Sequence, residues 1–183
     1  MRHTVRFATL AAIVTLALPL GAQTSEGIAG DLLRDITQVE NKVLGLAKAM
    51  PEAAWSWTPG PGVRSTQEVF LHIASDNYFM PTMVGASAPA ETKITSNYDT
   101  AAAFEKQKMT RDQVMAELTK SFAFLKTSLS NTPEAKMDAQ VEMFGQKAST
   151  RRVWVMATTH LHEHLGQLIA YARSNKVTPP WSK

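Results

Sequence analysis

The sequence predicts an all-α fold: a four-helix bundle with a long crossover between the second and third helices. Four stretches carry apolar residues at spacings of three and four, which is the pattern of a helix with one buried face. Prolines and glycines separate these stretches, and Ser/Thr-x-x-Glu/Gln capping boxes precede the two inner ones. Helices of this kind bury their apolar faces against one another in a bundle.

The N-terminal residues have the pattern of an export signal. Arg2 and Arg6 flank the start of an uncharged apolar run over residues 7–20, and small residues follow it. The run is short for a transmembrane helix, so we expect cleavage after Ala22 and no stable membrane span in the mature domain, residues 23–183. This predicts a periplasmic or secreted protein. Retention of the segment as an uncleaved anchor is the alternative.

The first helix and the loop after it differ sharply in composition. Apolar periodicity over residues 26–50 predicts a helix that ends at Pro51. The following stretch contains two prolines and two glycines close together, which predicts a loop. Trp55 and Trp57 lie in this stretch. We expect them to pack over one end of the core or, alternatively, to line the mouth of a pocket.

The second helix carries two polar residues on its predicted inner face. It begins with the capping box at residues 65–68 and is ended or kinked by Pro81. Its inner face is otherwise apolar and consists of Val69, His72, Ile73, Asp76, Phe79 and Met83. His72 and Asp76 therefore lie one turn apart at positions where a buried polar group needs a partner.

A crossover over residues 85–109 leads to the third helix and includes a short helix around residues 100–108. A crossover of this length allows the second and third helices to run parallel. The third helix follows the second capping box and ends before Pro133. We interpret residues 134–147 as a loop with a short extended piece at residues 141–145.

The last helix, predicted over residues 149–174, contains a histidine pair. Its predicted inner stripe consists of Val153, Met156, His160, His164, Gln167 and Tyr171. His160 and His164 are four residues apart, so their rings lie on one face of the helix, whereas His162 points the other way. Two inward imidazoles one turn apart form half of a metal site.

His72 supplies the third ligand of the predicted site. Three neutral imidazoles leave at least one position open for water or substrate, as in catalytic zinc sites, and imidazole also suits nickel and iron. The 183 residues contain no cysteine, which excludes thiolate ligands and cysteine nucleophiles. We expect Asp76 to orient a ligand or to hold a water molecule. A hydrogen-bonded polar cluster without a metal is the alternative.

A zinc-protease motif overlaps the same histidines. His160, Glu163 and His164 match the H-x-x-E-H pattern, in which Glu163 would be the general base. That class requires an acidic third ligand further along the chain, and no Asp or Glu follows His164. The domain is also small for a protease cleft. We therefore favour the three-histidine site.

The motifs together resemble those of the DinB-like metal-binding proteins. Residues 65–80, with His72 followed by Asp76, are similar to helix two of that family, and His160-x-x-x-His164-x-Gly-Gln is similar to its final-helix signature. The Trp-x-x-x-Pro loop and the Pro-Pro pair near the C-terminus also fit. The resemblance implies a four-helix bundle, often dimeric, whose histidine triad binds a divalent metal. Members with known chemistry are thiol S-transferases that use low-molecular-weight thiols; the export segment is a departure from them.

The expected function is a metal-dependent hydrolase or transferase that acts on a small molecule, with the metal as a Lewis acid. A non-catalytic module that binds a metal or a small ligand is the alternative. The formal net charge is only +3, and no dense Lys/Arg stripe is present, so we expect no nucleic-acid partner. A homodimer is expected from the resemblance.

Overall fold

The computed structural model describes residues 27–182, which form one helical bundle with a small β-hairpin. Its helices are α1 (Ile28–Ala49), α2 (Glu52–Trp55), α3 (Thr66–Phe79), α4 (Tyr98–Glu105), α5 (Arg111–Ser130) and α6 (Thr150–Ser174). Short 3-10 turns cover Met80–Val84, Ala90–Thr92 and Glu134–Lys136, and the antiparallel strands are β1 (Gln140–Met143) and β2 (Gln146–Ser149). The predicted export segment and its cleavage site at Ala22 lie outside the described residues.

The four long helices pack as a ring in which each contacts two others. Helices α1 and α3 both contact α5 and α6. Gln67 bonds to Met109 beside the start of α5, and Asn77 bonds to Ser121 further along, so α3 and α5 run parallel. The predicted all-α bundle with a long crossover between its second and third long helices is therefore confirmed. No helix in residues 27–182 is long and apolar enough to cross a membrane.

Helix α3 is the most enclosed element of the bundle. It contacts α4, α5 and α6, and every residue from Val69 to Phe79 is buried. The predicted capping box is present: the backbone amide of Glu68 donates to the Ser65 hydroxyl, and the backbone amide of Ser65 donates to the Glu68 carboxylate. The regular helix ends at Phe79, just before Pro81, and a 3-10 turn continues the chain. Enclosure on all sides places the polar groups of α3 inside the protein.

The tryptophan-rich stretch after α1 has more structure than a loop. It contains the single turn α2, which the sequence analysis missed because four residues are too few to show a period. Trp55 is only 2% exposed and packs on Phe70, as expected for a residue that covers one end of the core. Trp57 is half-buried and meets the ring of Tyr171 edge-on at 5.0 Å between centroids.

The apolar stripe predicted for α6 is wrong by part of a turn. Its buried apolar residues are Val153, Trp154, Ala157, Leu161, Leu165, Leu168, Tyr171 and Ala172, whereas Met156 and Gln167 are only half-buried. The reason is that α6 packs against both α1 and α3, so a wide face is buried and its centre is shifted. The histidine pair lies at the border of this face, on the side of α3.

The interpretation of residues 134–147 as mainly a loop also needs correction. The extended piece is the first strand of a hairpin, in which Val141 pairs with Ala148 and Met143 pairs with Gln146. Phe144 and Gly145 form the turn between the strands, both with positive φ. The hairpin packs against the 3-10 turn after α3 and against the start of α6.

Candidate metal centre

Three histidines from two antiparallel helices meet inside the bundle. His72 comes from α3, and His160 and His164 come from α6. The Nε2 atom of His160 lies 3.1 Å from Nε2 of His72 and 3.0 Å from Nε2 of His164. His72 and His164 are buried, and His160 is somewhat more open. The structure thus brings together the three histidines that the sequence analysis selected.

The protonation of His72 is fixed by a glutamate from the crossover. Its Nδ1 atom lies 2.6 Å from a carboxylate oxygen of Glu105, at the end of α4. A carboxylate only accepts hydrogen bonds when it is ionised, so Nδ1 carries the proton and donates. When His72 is neutral, its Nε2 atom therefore presents a lone pair to the other histidines.

A chain of three hydrogen bonds fixes the protonation of His164 in the same way. The hydroxyl of Tyr171 donates to the backbone carbonyl of Arg64 at 3.0 Å, so it must accept from the amide nitrogen of Gln167 at 2.9 Å. The amide oxygen of Gln167 then faces His164 and accepts a hydrogen bond from its Nδ1 at 2.8 Å. The Nε2 atom of His164 consequently presents a second lone pair, which is directed toward His160.

The centre has more acceptors than protons. A carboxylate oxygen of Asp76 lies 3.1 Å from Nε2 of His160 and 3.4 Å from Nε2 of His72. Nε2 of His160 carries at most one proton, which cannot serve two lone pairs and a carboxylate together. Ligand nitrogens of a tetrahedral zinc site with bonds of about 2.0–2.1 Å lie roughly 3.3 Å apart. The spacing and the donor atoms of this cluster therefore fit a bound cation.

Burial favours the neutral form of His160 and His164 and opposes ionisation of Asp76. Burial, followed by the neighbouring charges of His164 and His72, lowers the pKa of His160 to about 3. Burial also lowers the pKa of His164. For Asp76, burial raises the pKa to about 6, against the opposing effect of His72. Neutral imidazoles are the form that binds a metal.

The pKa of Glu105 is shifted in the opposite direction to that of Asp76. Burial alone would raise the pKa of Glu105, but the hydrogen bond from His72 and the charges of His72 and Arg64 outweigh it, so the net pKa is lowered. A salt bridge of 3.1 Å joins Arg64 to the second carboxylate oxygen of Glu105. Glu105 therefore stays ionised and holds His72 in one orientation.

The sequence did not reveal Glu105 or the role of Gln167. Glu105 lies in a crossover without clear periodicity, and the only signal was an acidic residue near the end of the short predicted helix. Gln167 was placed on the histidine face, but its hydrogen bond to His164 depends on Tyr171. Asp76 lies beside the histidine nitrogens and belongs, with His72 and Glu105, to an overlapping group that could hold a metal.

His162 and Glu163 lie outside the centre. His162 bonds to Asp35 of α1 at 3.0 Å and is exposed, as its position on the helix predicts. Glu163 is also exposed, so it does not occupy the place of a general base beside the cluster. This arrangement does not match the zinc-protease interpretation of the motif.

Comparison with known proteins identifies the family. The family model described as the DinB superfamily matches residues 35–168, most of the chain. The chain belongs to the DinB superfamily. A DinB-like protein from Bacillus subtilis with a solved crystal structure matches at a TM-score of 0.63 and 18% identity, over 84% of this chain and 97% of that chain. This likeness shows a shared DinB-like fold. No curated protein sequence matches the chain.

The raised pKa of Asp76 predicts a pH-dependent stability in the metal-free DinB-like domain. Its stabilising contribution is complete below pH 3.8 and is lost as the pH rises through about 6. We expect Asp76→Asn to raise the free energy of unfolding in chelator by up to about 3 kcal/mol at pH 7.5, and by little at pH 4. Urea denaturation of both proteins measures this difference.

Asp35→Asn is the matched control, because that carboxylate is exposed on α1 and faces His162. Its effect at pH 7.5 should be small beside that of Asp76→Asn. An Asp76→Asn protein whose stability gain is the same at both pH values would show that the Asp76 carboxyl does not have a raised pKa.

Proposed function

We propose that this DinB-superfamily protein binds one divalent metal ion through His72, His160 and His164. The observation that carries the proposal is that the Nε2 lone pairs of His72 and His164 converge on His160. Hydrogen bonds at the Nδ1 atoms of these two rings fix both tautomers. Imidazole ligands suit zinc, nickel and iron, so the donor set supports this group of metals. The resemblance of the motifs to metal-binding DinB-like proteins points the same way.

Two polar residues prepare the ligands for the metal. Glu105 holds the Nδ1 proton of His72, and Gln167 holds that of His164. Hydrogen bonds of this kind fix ring orientation and make the coordinating nitrogen more basic. Because both partners are in place within the protein, little reorganisation is needed when the metal binds.

We further propose that the protein is an exported metal-dependent hydrolase or transferase acting on a small molecule. A bound metal would supply Lewis-acid chemistry to such a reaction. Asp76 supports a catalytic role by its position, because its carboxylate oxygen lies 3.1 Å from Nε2 of His160, where it could accept a proton from a group held at the metal. The other Asp76 oxygen is buried without a hydrogen-bond partner, so it has unused capacity to accept a hydrogen bond.

A non-catalytic metal-binding module is the second candidate, and the position of Asp76 favours it. Its carboxylate oxygen lies as close to Nε2 of His160 as the other histidine nitrogens do. Four protein donors can close a tetrahedral metal site, as in structural zinc sites. The two candidates therefore differ in whether Asp76 binds the metal or the substrate.

The metal ligands can be tested with two substitutions on the same helix. We expect His160→Ala to abolish tight binding of one zinc ion per chain, since it removes the central nitrogen of the cluster. His162→Ala is the control and should bind zinc like the wild type, because that ring faces Asp35. Glu105→Gln should weaken binding by about 10- to 100-fold. Titration against a chromophoric chelator measures all three.

An equal loss of zinc in the His160→Ala and His162→Ala proteins would contradict the proposed ligand set.

Removal of the metal should destabilise the fold without destroying it. A ligand that binds only the folded state stabilises it by about 2.7 kcal/mol when present at 100 times its dissociation constant. We therefore expect chelation to lower the melting temperature by several degrees. Helical content should survive, because the apolar core extends through all four long helices. Circular dichroism with and without chelator measures both quantities, and complete unfolding on chelation would be the contrary result.

Asp76→Asn separates the catalytic candidate from the binding module. If Asp76 handles a proton, the variant keeps zinc at wild-type affinity and loses most turnover in a panel of ester, amide and thiol-transfer substrates. If Asp76 completes the metal site, the variant loses zinc affinity. Glu163→Gln is the control, since that side chain is exposed beside the histidine pair. Full zinc affinity together with full turnover in Asp76→Asn would contradict both roles.

A further inference from the structure

Helices α3 and α4 connect the candidate metal centre to a group of aromatic rings. Helices α3 and α4 pack side by side and antiparallel, so His72 meets Glu105 at one end and Phe79 meets Tyr98 at the other. Phe79 follows Asp76 by three residues, which is about 4.5 Å along a helix axis. The aromatic pair therefore lies within one or two helical turns of the centre.

A cavity of about 440 Å³ opens beside this aromatic pair. Its walls include Phe79 and Met83 from the end of α3, Tyr98 from α4, and Glu142 and Phe144 from the hairpin. This volume is within the usual range for a small-molecule site. The lining is mixed, because Thr82, Ser96 and Asn97 add polar groups to it. The aromatic rings and the flexible methionine form an apolar part that suits a ring or a branched aliphatic group.

Phe144 is held over the cavity at a conformational cost. Its φ is 51° and that of Gly145 is 75°, a two-residue turn for which Asn-Gly is the favoured sequence. A phenylalanine rarely adopts a left-handed conformation. Its ring is 58% exposed, with its centroid 6.1 Å from Phe79 and 6.4 Å from Tyr98. The side chain thus contributes an exposed apolar wall at a position where a polar residue would suit the backbone better.

The charges around the cavity limit what it can hold. Burial, followed by the negative charges of Asp76 and Glu105, raises the pKa of the Tyr98 hydroxyl. The Tyr98 hydroxyl is thus within electrostatic range of the acidic groups of the candidate metal centre. Glu142 adds another carboxylate to the lining. In the metal-free protein an anionic group would be repelled here, whereas an uncharged apolar group would not.

We propose that this cavity binds an uncharged aromatic or branched apolar group of the small-molecule substrate. The reacting group of the same molecule is then held at the candidate metal centre. The placement of the reacting group at the metal centre rests on the proposed function, whereas binding of an apolar group in the cavity does not. Phe144 is a specificity-determining residue in this arrangement, and Phe79 and Tyr98 line the cavity beside it.

Two hydroxamates test the proposal in the zinc-loaded protein. Acetohydroxamate and 4-phenylbutanohydroxamate carry the same metal-binding group, and only the second carries a ring. We expect the phenyl compound to bind at least about tenfold more tightly, because its ring leaves water on binding. Phe144→Asn should remove this advantage and leave acetohydroxamate affinity unchanged. Asn fits the turn better than Phe, so the variant should fold at least as stably. Isothermal titration calorimetry measures both affinities.

Trp181→Asn is the matched control, because it removes another exposed aromatic ring that lies beside Lys42 of α1. It should retain the full preference for the phenyl compound. Equal affinities of the two hydroxamates in the wild type, or an unchanged preference in Phe144→Asn, would overturn the proposal. If Phe144→Asn converts a dimer to a monomer in sedimentation and the preference is unchanged, the aromatic rings form a subunit contact. That result also overturns the proposal.

A separate measurement covers the case in which zinc does not bind and neither hydroxamate has affinity. That result contradicts the proposed function alone. Indole is then titrated into metal-free protein carrying ¹³C-methyl methionine. A shift of the Met83 methyl signal in the wild type, lost in Phe144→Asn, supports the cavity as an apolar site. No shift in the wild type overturns it.

Discussion

The hydrogen bond between His72 and Glu105 is the interaction on which the rest of the centre depends. At 2.6 Å it commits the proton of His72 to the side away from the other histidines. Without this bond, His72 could carry its proton on Nε2 and donate it to His160, as in an ordinary buried hydrogen-bonded pair. The glutamate thereby turns a polar patch into a set of unsatisfied lone pairs. The matching hydrogen bond that His164 donates to Gln167 completes this set.

The bundle keeps these groups in place because its core is independent of them. Large apolar side chains such as Trp154, Phe70 and Phe122 are fully buried around α3 and α6. Closely packed interiors resist rearrangement, so the facing helices keep the nitrogen atoms close together even though their lone pairs oppose one another. The chain from Gln167 through Tyr171 to the carbonyl of Arg64 also ties α6 to the segment before α3.

The parts of the centre that the sequence reveals are those set by local geometry. The spacing of His160 and His164 fixes their common face, and the capping box fixes where α3 begins and therefore that His72 points inward. Glu105 escaped prediction because its contact with His72 spans 33 residues and depends on how the crossover folds back. Packing from two sides likewise shifted the buried face of α6, which a single period cannot show. The export segment remains a prediction from sequence alone.

The crossover has a consequence for how such proteins diversify. The three histidines belong to long helices whose positions are fixed by the core, whereas Tyr98, Glu142 and Phe144 belong to the crossover and the hairpin. Connecting segments tolerate insertions and substitutions far better than packed helices do. One ancestral bundle can therefore acquire different neighbourhoods around the same histidines through changes in these two connections. Glu105 opposes this freedom, since any remodelling of α4 must preserve its reach to His72.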